Sequence, residues 1–157
     1  MPSRNFTLQP VGTVRSDRHE PIDDGWDAIA AHIEIDAEQF GPEALYGLDG
    51  FSHASVIFLF DRVPEEEIER GARHPRGNKD WPQIGIFAQR GKNRPNRLGH
   101  TICRILRVEG LHIYLEGLDA IDGTPVLDIK PVMEGFMPRG ELKEPDWSKE
   151  LMRGYWV

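Results

Sequence analysis

The chain has 157 residues and a mass of 17.9 kDa, the size of a single domain. Its 39% apolar and 29% charged residues exclude an intrinsically disordered chain. The longest apolar run, residues 56–60, is too short to span a bilayer, and the first residues lack the apolar stretch of a signal peptide. The single cysteine, Cys103, excludes an intramolecular disulfide. We therefore expect a cytoplasmic protein that folds as one domain over residues 1–157.

Charge is distributed unevenly along the chain. The net charge is −7, yet residues 62–107 carry 11 Lys and Arg against 5 Asp and Glu, a local balance of +6. An acidic protein does not coat nucleic acid by bulk attraction. The positive segment is either a chance cluster on solvated loops or one electropositive surface that meets an anionic partner.

Hydrophobic alternation with a period of two dominates the chain and predicts strands. The continuous apolar run within residues 55–60 predicts a strand buried on both faces, and Glu109-Gly110 predicts a hairpin. The predicted strands are, in order, residues 6–14, 31–35, 55–60, 84–87, 102–108, 111–115 and 125–129. Helices are predicted only at residues 64–70 and 148–153. About seven short strands with one or two short helices predict a mainly β fold, a compact closed or nearly closed β-barrel.

Several common sites are excluded by their missing motifs. No glycine-rich dinucleotide fingerprint follows a strand and no phosphate-binding P-loop occurs, so the fold is predicted to be non-Rossmann. The six histidines show no metal-ligand spacing and one cysteine cannot anchor a zinc site, so no metal is predicted. His53 is predicted to be a hydrogen-bonded structural histidine rather than a general base.

The most informative stretch is the basic loop, residues 90–99. It contains four cations, two asparagines, one proline and two glycines, which cannot form a core element. Guanidinium groups bind carboxylate or phosphate, and glycines let backbone N–H groups approach a ligand. A solvated basic turn is the alternative. We favour a ligand-binding loop, because Pro95 and the glycines stiffen a segment whose evident use is display.

A second stretch holds three aspartates, Asp119, Asp122 and Asp128, in apolar surroundings. Their spacing lacks the alternating ligands and the terminal glutamate of a calcium loop. Asp122 and the following glycine predict a turn, and Asp128 is predicted to pair with Lys130 or with an arginine of the basic loop. A carboxylate here could also hold an ammonium or amide group of a small ligand.

These two stretches carry a family resemblance. Residues 84–90 (Ile-Gly-Ile-Phe-Ala-Gln-Arg), the following Asn-Arg-Pro-Asn and Leu-Gly, and residues 117–131 (Gly-Leu-Asp-Ala-Ile-Asp-Gly-Thr-Pro-Val-Leu-Asp-Ile-Lys-Pro) resemble the signature of the TrmO family, also called TsaA-like or YaeB-like. Residues 10–16 and 47–53 agree with it in family order.

The resemblance implies a β-barrel that binds S-adenosylmethionine, usually as a homodimer with the cofactor near the subunit interface. It implies methyl transfer to N6 of threonylcarbamoyladenosine, beside the tRNA anticodon. The implied cofactor contacts, which we expect to be largely backbone groups at residues 118–121, are Asp61, Arg62, Arg90, Leu98, Leu118, Asp119, Ala120 and Ile121. Lys92, Arg94 and Arg97 are expected to contact tRNA phosphates. No catalytic residue is identified.

The sequence departs from the family pattern at three places. Asp61 stands where tRNA-modifying members often have histidine, and Gly91 and Arg97 replace a serine and a proline of the basic loop. The chain is also expected to be a short form without the extra C-terminal domain of longer members. A non-catalytic regulatory module that binds S-adenosylmethionine or a similar nucleoside is therefore kept as an alternative, as is a small-molecule methyltransferase.

Overall fold

The computed structural model describes residues 2–157 and contains, within them, eight strands, one α-helix and several short 3₁₀ turns. The elements are β1 Gly12–Ser16, β2 Ala31–Ile35, β3 His53–Leu59, β4 Ala72–Arg73, β5 Ile84–Gly85, β6 Leu98–Glu109, β7 His112–Glu116, β8 Pro125–Pro131 and α1 Asp146–Leu151.

Six strands close into an antiparallel barrel in the order β1-β2-β7-β6-β3-β8, and β8 pairs back with β1. β6 and β7 form the predicted hairpin, whose turn residue Gly110 has a φ of 58°, a conformation that glycine adopts without steric cost. β3 pairs with β6 along its whole length, from His53 opposite Arg104 to Leu59 opposite Leu98. The prediction of a mainly β barrel is confirmed, with six strands in the barrel itself.

Side chains fill the interior of the barrel. Alternate residues of the barrel strands point inward, as the period of two requires, except where register shifts interrupt the β3–β8 and β6–β7 pairings. Gly99 lies opposite Phe58, and a Cβ at position 99 would overlap the Phe58 ring, so the ring takes the space of a missing side chain. The residues buried here include Val14, Ile33, Val56, Phe58, Cys103, Ile113, Leu115 and Val126. The interior is a packed core, so a ligand has to be held by the rim or the outer surface.

Several predicted elements differ from the observed ones, among them the strand predicted at residues 102–108, which begins at Leu98 within the predicted basic loop. β3 is not buried on both faces: its residues alternate between buried and half-buried, so one face packs into the barrel and the other is only partly covered. The first strand begins at Gly12, and residues 6–10 are exposed and outside it. The helix predicted at residues 64–70 is a single 3₁₀ turn, Glu65–Glu67, because none of its residues is buried and no packed apolar face supports a longer helix.

The strand predicted at residues 84–87 is also shorter and lies elsewhere. Only Ile84 and Gly85 are extended, and they pair with β4 in a two-stranded ribbon outside the barrel sheet. Phe87 is 81% exposed, so the apolar run is not a buried strand. The buried Gln89 amide donates to the Arg73 carbonyl at 3.2 Å and to the Ile84 carbonyl at 2.6 Å. This amide therefore fixes the ribbon to the start of the basic loop.

The C-terminal residues are hydrogen-bonded to the loop between β1 and β2. The predicted terminal helix is confirmed as α1, two residues earlier than expected. Beyond it, the carbonyl of Tyr155 accepts from the N–H groups of Gly25 at 2.8 Å and Trp26 at 3.1 Å, and the carbonyl of Trp156 accepts from Asp27 at 2.7 Å. Among residues 2–157, no helix is both long and apolar enough to cross a membrane.

Candidate functional site

The candidate site is centred on the carboxylate of Asp119, in the loop that follows β7. One carboxylate oxygen accepts a hydrogen bond from the hydroxyl of Thr101 on β6, and the other accepts from the hydroxyl of Tyr155 near the C-terminus. Asp119 is half-buried and Thr101 is buried. Three segments that are far apart in the sequence therefore meet at one carboxylate.

Two neighbours of this carboxylate remain protonated. Burial raises the pKa of Tyr155 well above its ordinary value, and the negative charge of Asp119 adds to this effect, so the hydroxyl stays a donor. The same two causes raise the pKa of Cys103 to about 12. Because the thiolate is the reactive form of cysteine, the Cys103 thiol is inert at neutral pH.

Arg90 places a positive charge beside the same cluster. Its guanidinium donates to the backbone carbonyl of His100 on β6. Partial burial lowers the pKa of His100, the charge of Arg90 lowers it further, and Asp119 opposes both effects. The imidazole of His100 is consequently neutral at neutral pH, and a neutral imidazole accepts a proton.

The basic loop is held by arginine side chains that bind backbone carbonyls. Arg94 donates to the carbonyl of Gln89 at 2.6 Å, and Arg97 donates to the carbonyl of Val63 at 2.7 Å. Asn96 and Arg97 have positive φ values of 62° and 52°, which costs conformational energy in residues other than glycine. The Arg97 N–H donates to the Arg94 carbonyl at 3.0 Å, a bond that a proline at this position could not make.

The segment that follows β3 is joined to this loop. The N–H of Phe60 donates to the Arg97 carbonyl at 2.8 Å, which brings Asp61 and Arg62 next to the basic loop. Arg62 donates to the carbonyl of His19 at 2.8 Å, and the His19 ring lies 3.5 Å from a carboxylate oxygen of Asp122. Asp61 itself is exposed and makes no side-chain hydrogen bond within residues 2–157.

Apolar residues of the same loop lie beside the carboxylate. Leu118 and Ala120 are buried, and Ile121 is half-buried with its carbonyl accepting from the Thr124 hydroxyl at 2.7 Å. Leu98, at the start of β6, is 38% exposed and lies opposite Leu59 on the outside of the barrel.

Contacts with β6 thus link Arg90, Leu98 and the Asp119 loop, whereas Asp61 and Arg62 are beside the basic loop and make no hydrogen bond to Asp119 within residues 2–157. Asp122 is in the predicted turn, and its side chain accepts from the Ser16 N–H at 3.0 Å. Of the two partners predicted for Asp128, Lys130 is the one observed, at 3.1 Å and on an exposed surface. His53 is hydrogen-bonded, as predicted, with Ser52 at 2.6 Å.

Sequence reasoning missed three members of the cluster, Thr101, His100 and Tyr155. A half-buried aspartate needs donors, so the environment of Asp119 signalled that hydroxyl or N–H partners existed. Nothing in the sequence indicated which ones, because the register of β6 and the path of the C-terminal residues decide this.

The fold and the site define a class of protein, an antiparallel barrel with a polar, charge-bearing site formed by loops and the C-terminus. A family model described as the tRNA-methyltransferase O N-terminal domain matches residues 14–136. A human tRNA (adenine(37)-N6)-methyltransferase is 38% identical over 102 residues, which are 65% of this chain and 23% of the relative. The Escherichia coli protein of the same name is 31% identical over 140 residues, which cover 82% of this chain and 58% of the relative.

Two further comparisons cover more of the chain or its structure. A probable S-adenosyl-L-methionine-binding protein of Pyrococcus horikoshii is 33% identical over 135 residues, with 83% of this chain and 85% of the relative covered. A crystal structure of TrmO from Pseudomonas aeruginosa aligns with a TM-score of 0.71 at 28% identity, covering 89% of this chain and 62% of that one. The chain belongs to the tRNA-methyltransferase O N-terminal domain family. It spans less than two thirds of the human and bacterial methyltransferases named above.

We predict opposite effects of the two site charges on His100. Arg90→Gln should raise the pKa of His100, because it removes a repelling positive charge, and Asp119→Asn should lower it, because it removes an attracting negative charge. The ring proton shifts of His100 in an NMR pH titration measure both changes. Arg70→Gln removes an exposed cation elsewhere in the positive segment, residues 62–107. It is the control and should leave the titration unchanged. Shifts in the same direction for both site variants would contradict the described geometry.

Proposed function

We propose that this chain is an S-adenosylmethionine-dependent methyltransferase that modifies N6 of adenosine 37 in tRNA, with threonylcarbamoyladenosine as the acceptor. The proposal rests on the position of Arg90 beside the Asp119 cluster (Asp119, Thr101 and Tyr155) in a chain of this family. Relatives with 31% and 38% identity are named tRNA (adenine(37)-N6)-methyltransferases.

The residues present fit the cofactor by charge and polarity. S-adenosylmethionine combines a carboxylate, an ammonium group, a ribose diol and an adenine ring. A guanidinium pairs with a carboxylate, so Arg90 would hold the amino-acid end. The carboxylate of Asp119 accepts from hydroxyl or amino groups, and Leu118 and Ala120, whose side chains are buried in the core, would contribute backbone groups beside it. The full proposed contact set is Asp61, Arg62, Arg90, Leu98, Leu118, Asp119, Ala120 and Ile121.

Methyl transfer needs alignment more than activation in this proposal. The sulfonium of the bound cofactor supplies an electrophilic methyl group, so the chain mainly has to orient the acceptor nitrogen in line with it. The N6 lone pair of adenine is delocalised into the ring, and the nitrogen must lose a proton as it is methylated. The neutral imidazole of His100 on β6 and the exposed carboxylate of Asp61, which is also in the proposed contact set, are two candidate proton acceptors beside these loops.

The first experiment asks whether the cofactor and the turnover are both present. Mass spectrometry of the denatured protein should find a co-purified S-adenosyl nucleoside, and incubation with bulk tRNA from a strain that lacks this gene should produce one methylated adenosine. Arg90→Ala should lower cofactor affinity at least tenfold in calorimetry, because a charge-assisted contact contributes about 1.5–3 kcal/mol. Arg70→Ala, at an exposed cation without such a contact, is the matched control.

The outcomes separate the alternatives. Cofactor binding without turnover on any tRNA pool would favour a regulatory binding module. Turnover on a small metabolite alone would favour a small-molecule methyltransferase. Unchanged cofactor affinity in Arg90→Ala would contradict the proposed role of the guanidinium.

We further propose that tRNA lies against the basic loop. Its arginines bind neutral carbonyls rather than carboxylates, so within residues 2–157 no ion pair neutralises their positive charge directly. Lys92 is half-buried and has no ion-pair partner within residues 2–157. Arg94 and Arg97 each have donors left for phosphate oxygens, but their substitution would also release the Gln89 and Val63 carbonyls. Lys92 is therefore the cleaner test of phosphate contact.

Lys92→Gln should make tRNA binding weaker and less dependent on salt. Each phosphate contact that is lost flattens the slope of log affinity against log salt by about 0.7–0.9, because fewer counterions are released on binding. Filter binding between low and moderate salt measures the slope. Lys149→Gln, at an exposed cation of α1, should leave it unchanged. Equal slopes for the two variants would mean that the loop does not contact phosphates.

A homodimer is the oligomeric state that we propose. Leu98, Ile102 and Leu106 are 38%, 43% and 51% exposed on β6, and Leu98 is also a proposed cofactor contact. His100 and Arg104 alternate with these three residues on the outer face of β6, and a second copy that covered this mixed apolar and polar face would lie against the edge of the site. Light scattering should give twice the 17.9 kDa chain mass, and Ile102→Glu should reduce it to one chain. A wild-type protein that is monomeric at micromolar concentration would contradict the proposal.

A further inference from the structure

The C-terminal residues reach the site along a defined path. The carbonyls of Tyr155 and Trp156 accept hydrogen bonds from residues 25–27, and the Trp81 ring N–H donates to Glu150 on α1 at 2.8 Å. These contacts place Tyr155 at the loop that carries Asp119. The ring of Trp156 also lies 3.8 Å from the position that a Cβ on Gly117 would occupy, so the chain end packs on the same loop.

Tyr155 lies where the charges of the site converge. Its hydroxyl donates to Asp119, and the positive charges of Arg90 and Arg76 act on it as well. Arg76 is itself fixed in place by both oxygens of Asp24, at 3.0 and 3.3 Å. Tyr155 is half-buried, and its hydroxyl donates to the second oxygen of the Asp119 carboxylate, while Thr101 donates to the first.

A carboxylate held by two donors has one orientation instead of many. Rotation about the terminal bond of an aspartate is soft, so one donor leaves the carboxylate plane variable. Donors to both oxygens fix the plane, and each oxygen keeps a further lone pair that can accept from a ligand. Affinity rises when a binding group is already in its bound orientation, because less conformational freedom is lost on binding.

We propose that Tyr155 is a positioning residue: together with Thr101 it fixes the Asp119 carboxylate in the orientation in which Asp119 accepts hydrogen bonds from hydroxyl or amino groups of the nucleoside cofactor. This inference rests on the proposed function, since Asp119 is taken as a cofactor contact. It assigns to the C-terminal residues a part in the site and not only in the fold.

The test compares hydroxyl deletions at matched positions. Calorimetry with S-adenosylhomocysteine should give affinities about five- to twentyfold weaker for Tyr155→Phe and for Thr101→Val than for the wild type. Tyr114→Phe is the control, because the Tyr114 hydroxyl makes no hydrogen bond within residues 2–157. Its affinity should match the wild type. The melting temperature of each variant without ligand shows how much of an effect is loss of stability.

A double-mutant cycle separates positioning from a purely structural role. If Tyr155 acts through the carboxylate, then Tyr155→Phe should weaken binding little or not at all in an Asp119→Asn background, so the two effects should not add. Additive effects, or a lower melting temperature with unchanged affinity, would overturn the inference and leave the proposed function intact. A wild-type protein that binds no S-adenosylhomocysteine would instead overturn the proposed function, and the positioning role with it.

Discussion

A six-stranded barrel is too narrow to hold a ligand inside it, and this constraint shapes the rest of the molecule. Side chains such as Phe58, Ile113 and Val126 occupy the interior completely, to the point where Gly99 has to lack a side chain. Residues around the barrel must therefore bind any ligand and carry out any reaction. Every residue of the candidate site accordingly lies in a loop, in the chain end, or at a strand position next to the rim.

Loops around such a barrel bury little apolar surface that could fix their conformation. Arginine side chains fix it instead, through hydrogen bonds to backbone carbonyls. Arg62, Arg90 and Arg97 each donate to a backbone carbonyl on another segment, and Arg94 donates to the Gln89 carbonyl at the start of the basic loop itself. A bond of this kind stabilises the loop as a carboxylate partner would, but it leaves the positive charge uncancelled. One set of residues therefore provides both the rigidity of the basic loop and its positive potential.

The sequence predicted the barrel because alternation with a period of two depends only on which side of a strand each residue faces. Residues 31–35 and the β6–β7 hairpin followed directly from that pattern. A run of apolar residues does not distinguish a strand covered on both faces from one whose outer face is half-exposed. The prediction that β3 is buried on both faces is therefore wrong. The strand predicted at residues 84–87 is wrong for a related reason, since Phe87 is apolar and yet lies on the surface.

The candidate site was predicted as segments rather than as a geometry. The motif residues around Arg90 and Asp119 were recognisable because their spacing along the chain is short and specific. Thr101 and Tyr155 were not, because their partnership with Asp119 spans 18 and 36 residues and depends on strand register and on the path of the chain end. Long-range polar contacts of this kind leave no local pattern in a sequence.

The burial of the single thiol gives the molecule a practical property. Cys103 is fully enclosed in the barrel, and its thiol stays protonated far above neutral pH, so alkylating reagents meet no reactive sulfur on the native protein. A cysteine introduced at an exposed position, such as Tyr46, would be the one thiol available for a fluorophore or spin label. The native cysteine therefore does not need to be replaced before site-directed labelling.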